Sequence, residues 1–271
     1  MDTSLYNQGT RKGYMAKTKV IDTHAHLGEC CVFGLLSTEE AMMHRMEKHG
    51  VDATIVQPYP GARDYYQRHD EIADLCARHP GRFFGLASLS PHIGRDKYQR
   101  EVERCIKDLH FVAVKLHTIG HGVNPLTEDG DLVFETANEL GIPAMVHTGA
   151  GIPFSLPALC IPAAQKYPRL KIILAHAGAG IVSAEAQVAA TVCSNLYLET
   201  SWCLGEDIRW MINTIGPDRV MMGADLPSNV PVEIAKYEAL DLSPEVFSRV
   251  MGETAVEVFN LTWPGEKPVV A

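Results

Sequence analysis

Residues 20–31 read VIDTHAHLGECC, with His24 and His26 one residue apart at the end of an apolar run and Cys30 and Cys31 close behind. Imidazole and thiolate are both ligands of divalent metals, so the stretch invites a metal reading. The H-x-H pair alone does not carry it. With 12 histidines among 271 residues, chance supplies about 0.5 such pairs per chain. Position changes the weight. Lys115 and His117 close FVAVKLH, His147 closes IPAMVH, His176 closes KIILAH and Asp225 closes RVMMGAD. Three imidazoles, or two and a carboxylate, hold Zn2+ or a similar ion with one coordination position open. Water in that position ionises near pH 7, and a neighbouring carboxylate or imidazole can manage its proton.

Something must bring these distant residues together. Short β-branched or apolar runs start at Lys19, Val51, Arg82, Phe111, Ile142, Lys171, Asn195 and Arg219. That is one run about every 30 residues, the size of a strand–helix unit. Helical patterns fill the gaps. Residues 37–49 open with Ser37 or Thr38 as a cap, and 131–140 run from Asp131 as a cap to Gly141. Weaker patterns cover 96–109 and 157–167. Alternating strands and helices imply parallel strands, and no G-x-G-x-x-G announces an open nucleotide-binding sheet. The expectation is an α/β fold, a single-domain (β/α)8 TIM barrel over 18–264. A flexible extension over 1–17 precedes it, and a tail over 265–271 follows.

In such a barrel, catalytic residues stand at the carboxyl ends of the strands. Each chemistry-bearing residue above ends its run, so all should face one mouth. Strand alternation points His24 and His26 the same way. It turns Val112, Val114 and Leu116 toward the helices and leaves Lys115 and His117 inward. A buried lysine needs a partner or loses its charge.

Composition narrows the partners. A net charge of −9 and 21% charged residues argue against a phosphate-tracking nucleic-acid surface. No run approaches the roughly 18 apolar residues of a membrane span. The first 19 residues are basic but lack the apolar core of a secretory signal. Seven cysteines without a C-x-x-C pair fit a reduced, cytoplasmic compartment. A small-molecule substrate is the expected partner, without nucleic acid or membrane, and a homodimer is compatible with all of this.

Taken together, IDTHAH, VKLH, VHTG, LAHAG and GAD at successive strand ends resemble the amidohydrolase superfamily. The similarity is greatest to its amidohydrolase 2 branch, which includes aminocarboxymuconate-semialdehyde decarboxylase, and it runs from about Lys19 to Leu261. The resemblance implies His24, His26, His147 and Asp225 as metal ligands, with Asp225 and His176 as catalytic acid–base groups. It places Lys115 where two-metal members carry a carboxylated lysine; the branch pattern favours one divalent ion, zinc ahead of manganese. Thr254 departs from the asparagine usual in the closing G-x-N-A motif.

Short length favours a hydrolase, one that activates a metal-bound water to cleave an ester, lactone or amide. The alternative is a non-oxidative decarboxylase of a small conjugated or aromatic acid. A degenerate, merely binding barrel is disfavoured because no expected ligand is missing. Arg63, Lys115, His117 and Trp202 are the candidate substrate contacts, with His92 and His121 as further pocket residues. Glu199 reads equally as an inward, paired carboxylate or a rim residue. Cys30 and Cys31 read as pocket wall or packing.

Overall fold

Every apolar run named above becomes a strand in the structure, a computed structural model that describes residues 19–149, 151 and 153–265. The extension expected over 1–17, and the tail beyond residue 265, lie outside the described residues. The strands are β1 (Ile21–Cys30), β3 (Ala53–Pro58), β4 (Phe83–Ser88), β5 (Ala113–Leu116), β6 (Ala144–His147), β7 (Ile172–Ala175), β8 (Leu196–Glu199) and β9 (Val220–Met221). One further strand, β2 (Leu35–Ser37), pairs antiparallel with the far end of β1, and all other pairings are parallel. The first strand therefore does not stop at His26 but runs on to Cys30. It continues because the chain folds back at Gly34, whose φ of 64° suits a tight turn. Alternation along β1 is also broken, by a bulge between Asp22 and Ala25. Bulges of this kind re-aim side chains beside functional sites.

The sheet order is β2-β1-β3-β4-β5-β6-β7-β8-β9, and it curls so that β1 lies against the segment that follows β9. Thr23 N donates to Met222 O at 3.2 Å, Asp225 N to His24 O at 2.6 Å, and Ala25 bridges Asp225 in parallel register. The Asp22 carboxylate adds a side-chain tie by accepting the Ala224 N–H at 2.8 Å.

Two apolar layers hold this α/β domain together. Outward residues such as Val56, Val114, Leu116, Val146 and Leu174 pack with helix residues including Met46, Leu75, Phe134 and Met211. Inward residues Ile21, Ile55, Leu86, Ala113, Met145 and Ile173 meet Ala255, Val258 and Phe259 of the C-terminal helix (Thr254–Phe259). That helix floors the sheet's interior and leaves the opposite end for polar residues. Val114 and Leu116 face outward as alternation requires. Val112 packs with the inner layer, because β5 begins only at Ala113 and alternation does not extend to it.

Helix starts follow capping chemistry. Thr38 caps Glu39–His49 by accepting from Ala41 N. The helix expected from Asp131 begins at Glu128, because Thr127 rather than Asp131 supplies the capping oxygen, accepting from Gly130 N. Residues 157–167 divide into a 3-10 turn (Pro157–Cys160) and a helix (Ile161–Lys166). All seven cysteines are free thiols. No helix among the described residues is long and apolar enough to cross a membrane.

Candidate active site

The open end of the curled sheet gathers the strand-end residues. His24 and His26 come from β1, Lys115 from β5, His147 from β6 and Glu199 from β8. His117, His176 and Asp225 follow β5, β7 and β9 directly or nearly so. Three of the turns there hold a non-glycine residue in left-handed backbone: His176 at φ 65°, Trp202 at 67° and Asp225 at 66°. Each such residue costs on the order of 1–2 kcal/mol. Their concentration at one mouth marks the place where geometry has been favoured over local stability.

Hydrogen bonds assign the tautomers. His24 Nδ1 lies 2.8 Å from Glu199 Oε2, and His26 Nδ1 lies 3.1 Å from Pro58 O. A ring nitrogen against a carboxylate or carbonyl carries the proton, so both Nε2 atoms present lone pairs. Those lone pairs point at a third acceptor: Asp225 Oδ1 is 3.2 Å from His26 Nε2 and 3.7 Å from His24 Nε2. Three acceptors converge here, all within 4.8 Å of one another, an arrangement that a cation between them would stabilise. Two neutral imidazoles and one carboxylate are a donor set suited to a divalent ion.

The neighbouring contacts form a proton-carrying chain. Ser201 Oγ donates to Glu199 Oε2 at 3.0 Å and so accepts from His176 Nδ1 at 2.7 Å. His176 Nε2 then accepts from His147 Nδ1 at 3.1 Å. His147 stacks on His117, with ring centroids 4.4 Å apart, and keeps its Nε2 lone pair. The structure thus turns His147 toward His176 and does not bring it into the compact His24–His26–Asp225 group.

Burial dominates the electrostatics. It holds His24, His117 and His147 well below the ordinary imidazole range, and His176 down at about 3, so these rings are neutral. It also lowers Lys115 to about 7, against the pull of Glu199 and Asp225. Lys115 Nζ lies 3.1 Å from His24 Nε2.

Other expected residues divide clearly. Trp202 enters the site, its indole N–H donating to Asp225 Oδ2 at 2.8 Å. His121 is buried and accepts the His117 N–H at 3.2 Å. Arg63 is exposed and forms no hydrogen bond or ion pair among the described residues. His92 is exposed and bound to Asp129 at 2.7 Å. Cys30 is buried in the hairpin and Cys31 exposed, and neither belongs to a ligand group. Glu199 is decided in favour of the inward position: it is fully buried and accepts from His24 Nδ1, His176 N and Ser201 N. Sequence reasoning missed Ser201, Gln57 and Tyr59. Gln57 Nε2 donates to His26 Nε2 at 3.3 Å, and Tyr59 stacks on His26 at 4.5 Å. The signal for Ser201 lay in the strand end ETS, where a serine follows the inward carboxylate by two.

A second buried cluster of metal-type ligands, His69–Glu101–Cys105, is already saturated. His69 Nδ1 bonds Glu101 at 2.7 Å and its Nε2 accepts from Ser88 N, while Arg104 takes the remaining capacity of Glu101.

Comparison with known proteins agrees with this picture. A family model described as amidohydrolase matches residues 21–261. A gamma-resorcylate decarboxylase from Rhizobium sp. (strain MTP-10005) is 26% identical over 189 residues, covering 54% of this chain and only 58% of that protein. The 2-amino-3-carboxymuconate-6-semialdehyde decarboxylase of Dictyostelium discoideum is 22% identical over 82% of this chain and 76% of its own length. Among solved structures, 5-carboxyvanillate decarboxylase from Novosphingobium aromaticivorans superposes with a TM-score of 0.75 at 19% identity, over 90% of this chain and 97% of that one. It was solved with manganese and 4-hydroxy-3-methoxy-5-nitrobenzoic acid. These relatives are decarboxylases, and they overturn the expectation of ester, lactone or amide hydrolysis. The length argument behind that expectation fails as well, since the superposition takes in 97% of a decarboxylase. Fold and donor set were compatible with either reaction. The ion in that neighbour is manganese, not the zinc expected from the sequence.

Proposed function

The chain belongs to the amidohydrolase family, in its amidohydrolase 2 branch, and on that premise we propose that it is a metal-dependent, non-oxidative decarboxylase of a small aromatic or conjugated carboxylic acid. The observation that carries this reading is the convergence of His24 Nε2, His26 Nε2 and Asp225 Oδ1 within 4.8 Å, in a chain whose relatives reported above are decarboxylases. We read the curled sheet as a closed (β/α)8 barrel, supported by the bonds between β1 and the segment after β9.

In this reading His24, His26 and Asp225 hold one divalent ion, with the His147 Nε2 lone pair as a further donor. When bound, such an ion would supply Lewis acidity toward the substrate's oxygens. The protein's own residues handle geometry and the proton. Glu199 and Pro58 O fix the two imidazoles so that both Nε2 atoms face inward. Breaking the bond to CO2 leaves its electron pair on carbon, and one proton must take its place. His176 is the group for this transfer: it takes a proton at Nε2, is steadied at Nδ1 by Ser201 and Glu199, and delivers the proton to carbon.

The test is direct. Protein loaded with Mn2+ is incubated with 2,6-dihydroxybenzoate, 5-carboxyvanillate and related hydroxybenzoates, and CO2 release is followed with substrate loss. Turnover of one of these acids, abolished in Asp225→Asn, is expected. Absence of CO2 release across the series, from protein that binds the ion, would reject the reading.

A further inference from the structure

We propose that Trp202 is a positioning residue for Asp225, committing this carboxylate to ligation through a single oxygen; the inference rests on the reading of Asp225 as a ligand given above. The two oxygens of Asp225 have different surroundings. Oδ1 faces the His24 and His26 lone pairs, whereas Oδ2 receives the Trp202 indole N–H at 2.8 Å. An oxygen engaged by a charge-assisted hydrogen bond on one side is not free to swing and chelate on the other. A carboxylate held in this way would offer a bound ion one oxygen.

Three observations distinguish this from ordinary packing. The Trp202 side chain is 46% exposed, so its ring is not placed there to fill a core. Its one polar atom is directed at Asp225. Its backbone sits at φ 67°, a conformation that disfavours any bulky residue and needs outside support. That support is present on both sides. Ser201 N donates to Glu199 Oε1 at 2.6 Å, and Trp202 N donates to Glu233 Oε1 at 2.9 Å. Glu233 is fully buried and is held in turn by Asn229 Nδ2 at 2.9 Å and Lys236 Nζ at 2.7 Å. The loop after β8 therefore links two buried carboxylates and presents the indole to Asp225 between them.

The experiment uses Mn2+ alone as the probe. Free Mn2+ is measured by electron paramagnetic resonance during titration of the wild-type chain, Trp202→Phe and Trp210→Phe. Phenylalanine keeps the ring and removes only the donor, while Trp210 lies on the helix Gly205–Ile215 away from the site. Trp202→Phe is expected to bind Mn2+ about 10-fold more weakly, within the range for loss of a partner that orients a metal ligand, with Trp210→Phe unchanged. Equal affinity in wild type and Trp202→Phe would overturn the inference and leave the proposed function standing. Failure of the wild-type chain to bind Mn2+ would overturn both. A second readout needs no variant to fold. In the 15N-labelled wild-type chain one indole N–H resonance must broaden at lower Mn2+ than the other two, and uniform broadening of all three rejects the placement.

Discussion

The Glu199 carboxylate and His24 Nδ1 meet at 2.8 Å with both side chains shut off from solvent. This contact decides which face of the His24 ring carries a lone pair, and therefore whether β1 can offer two donors to one ion. Replacing Glu199 by Gln removes the charge that fixes the tautomer and leaves a neutral group that can rotate. Mn2+ affinity should fall by about 10- to 100-fold, as read by competitive titration against a chelator. Affinity within twofold of wild type would show that His24 is oriented by something else.

Gly223 tests the same carboxylate from behind. A Cβ at that position would lie 2.5 Å from Glu199 Oε1, far inside contact distance. Gly223→Ala should therefore cost about 1–3 kcal/mol in urea unfolding and weaken Mn2+ binding in parallel. Gly205→Ala, whose Cβ would meet nothing closer than 3.7 Å, is the matched control and should be neutral or mildly stabilising.

His26 and His176 should separate metal binding from proton transfer. His26→Ala removes one of three converging donors, and the purified protein should hold less than a tenth of the wild-type metal by elemental analysis. His176→Asn should retain metal near the wild-type level and lose CO2 release by about 10²- to 10⁴-fold. Loss of metal in His176→Asn would reassign that ring from proton transfer to ligation.

Away from the mouth, Glu101 sets an acid limb to stability. Burial would raise its carboxyl, but His69 and Arg104 outweigh burial and hold it at about 2 against an ordinary 4.5. Between those values the unfolded chain binds more protons than the folded one, so stability rises with pH there and is lost as pH falls toward 2. Glu101→Gln should flatten this slope in denaturant titrations between pH 2 and 4.5. At pH 7 it should cost about 1–2 kcal/mol, allowing for screening of the partly exposed Arg104. An unchanged acid limb would show that the pair contributes nothing to stability.

Much of the scaffold was legible before any coordinates. Apolar runs at 19–26, 51–58 and onward become β1 and β3 to β9 because hydrophobic runs of that length have few other ways to be buried. Placement at strand ends brought His24, His26, His147, His176 and Asp225 to one mouth, since parallel strands all present their carboxyl ends on the same side. Local signals were less faithful. Thr127 took the cap that Asp131 resembled, and the hairpin extending β1 to Cys30 carried no strand-like alternation of its own.

What the chain determined by itself was the list of donors and the order in which the strands deliver them. What only the tertiary structure decided was how each donor is used. Glu199 could not be assigned inward or outward until β8 was seen beside β7, where one carboxylate reaches the His24 ring, the His176 amide and Ser201 together. Arg63 and Trp202 were both candidate substrate contacts, yet one is exposed without a partner among the described residues and the other binds Asp225 at 2.8 Å. The physical reason is range. Periodicity and capping act over a few residues and leave their mark in the sequence, whereas hydrogen bonds such as Asp22 to Ala224, 202 positions apart, exist only once the sheet has curled and brought β1 beside the segment after β9.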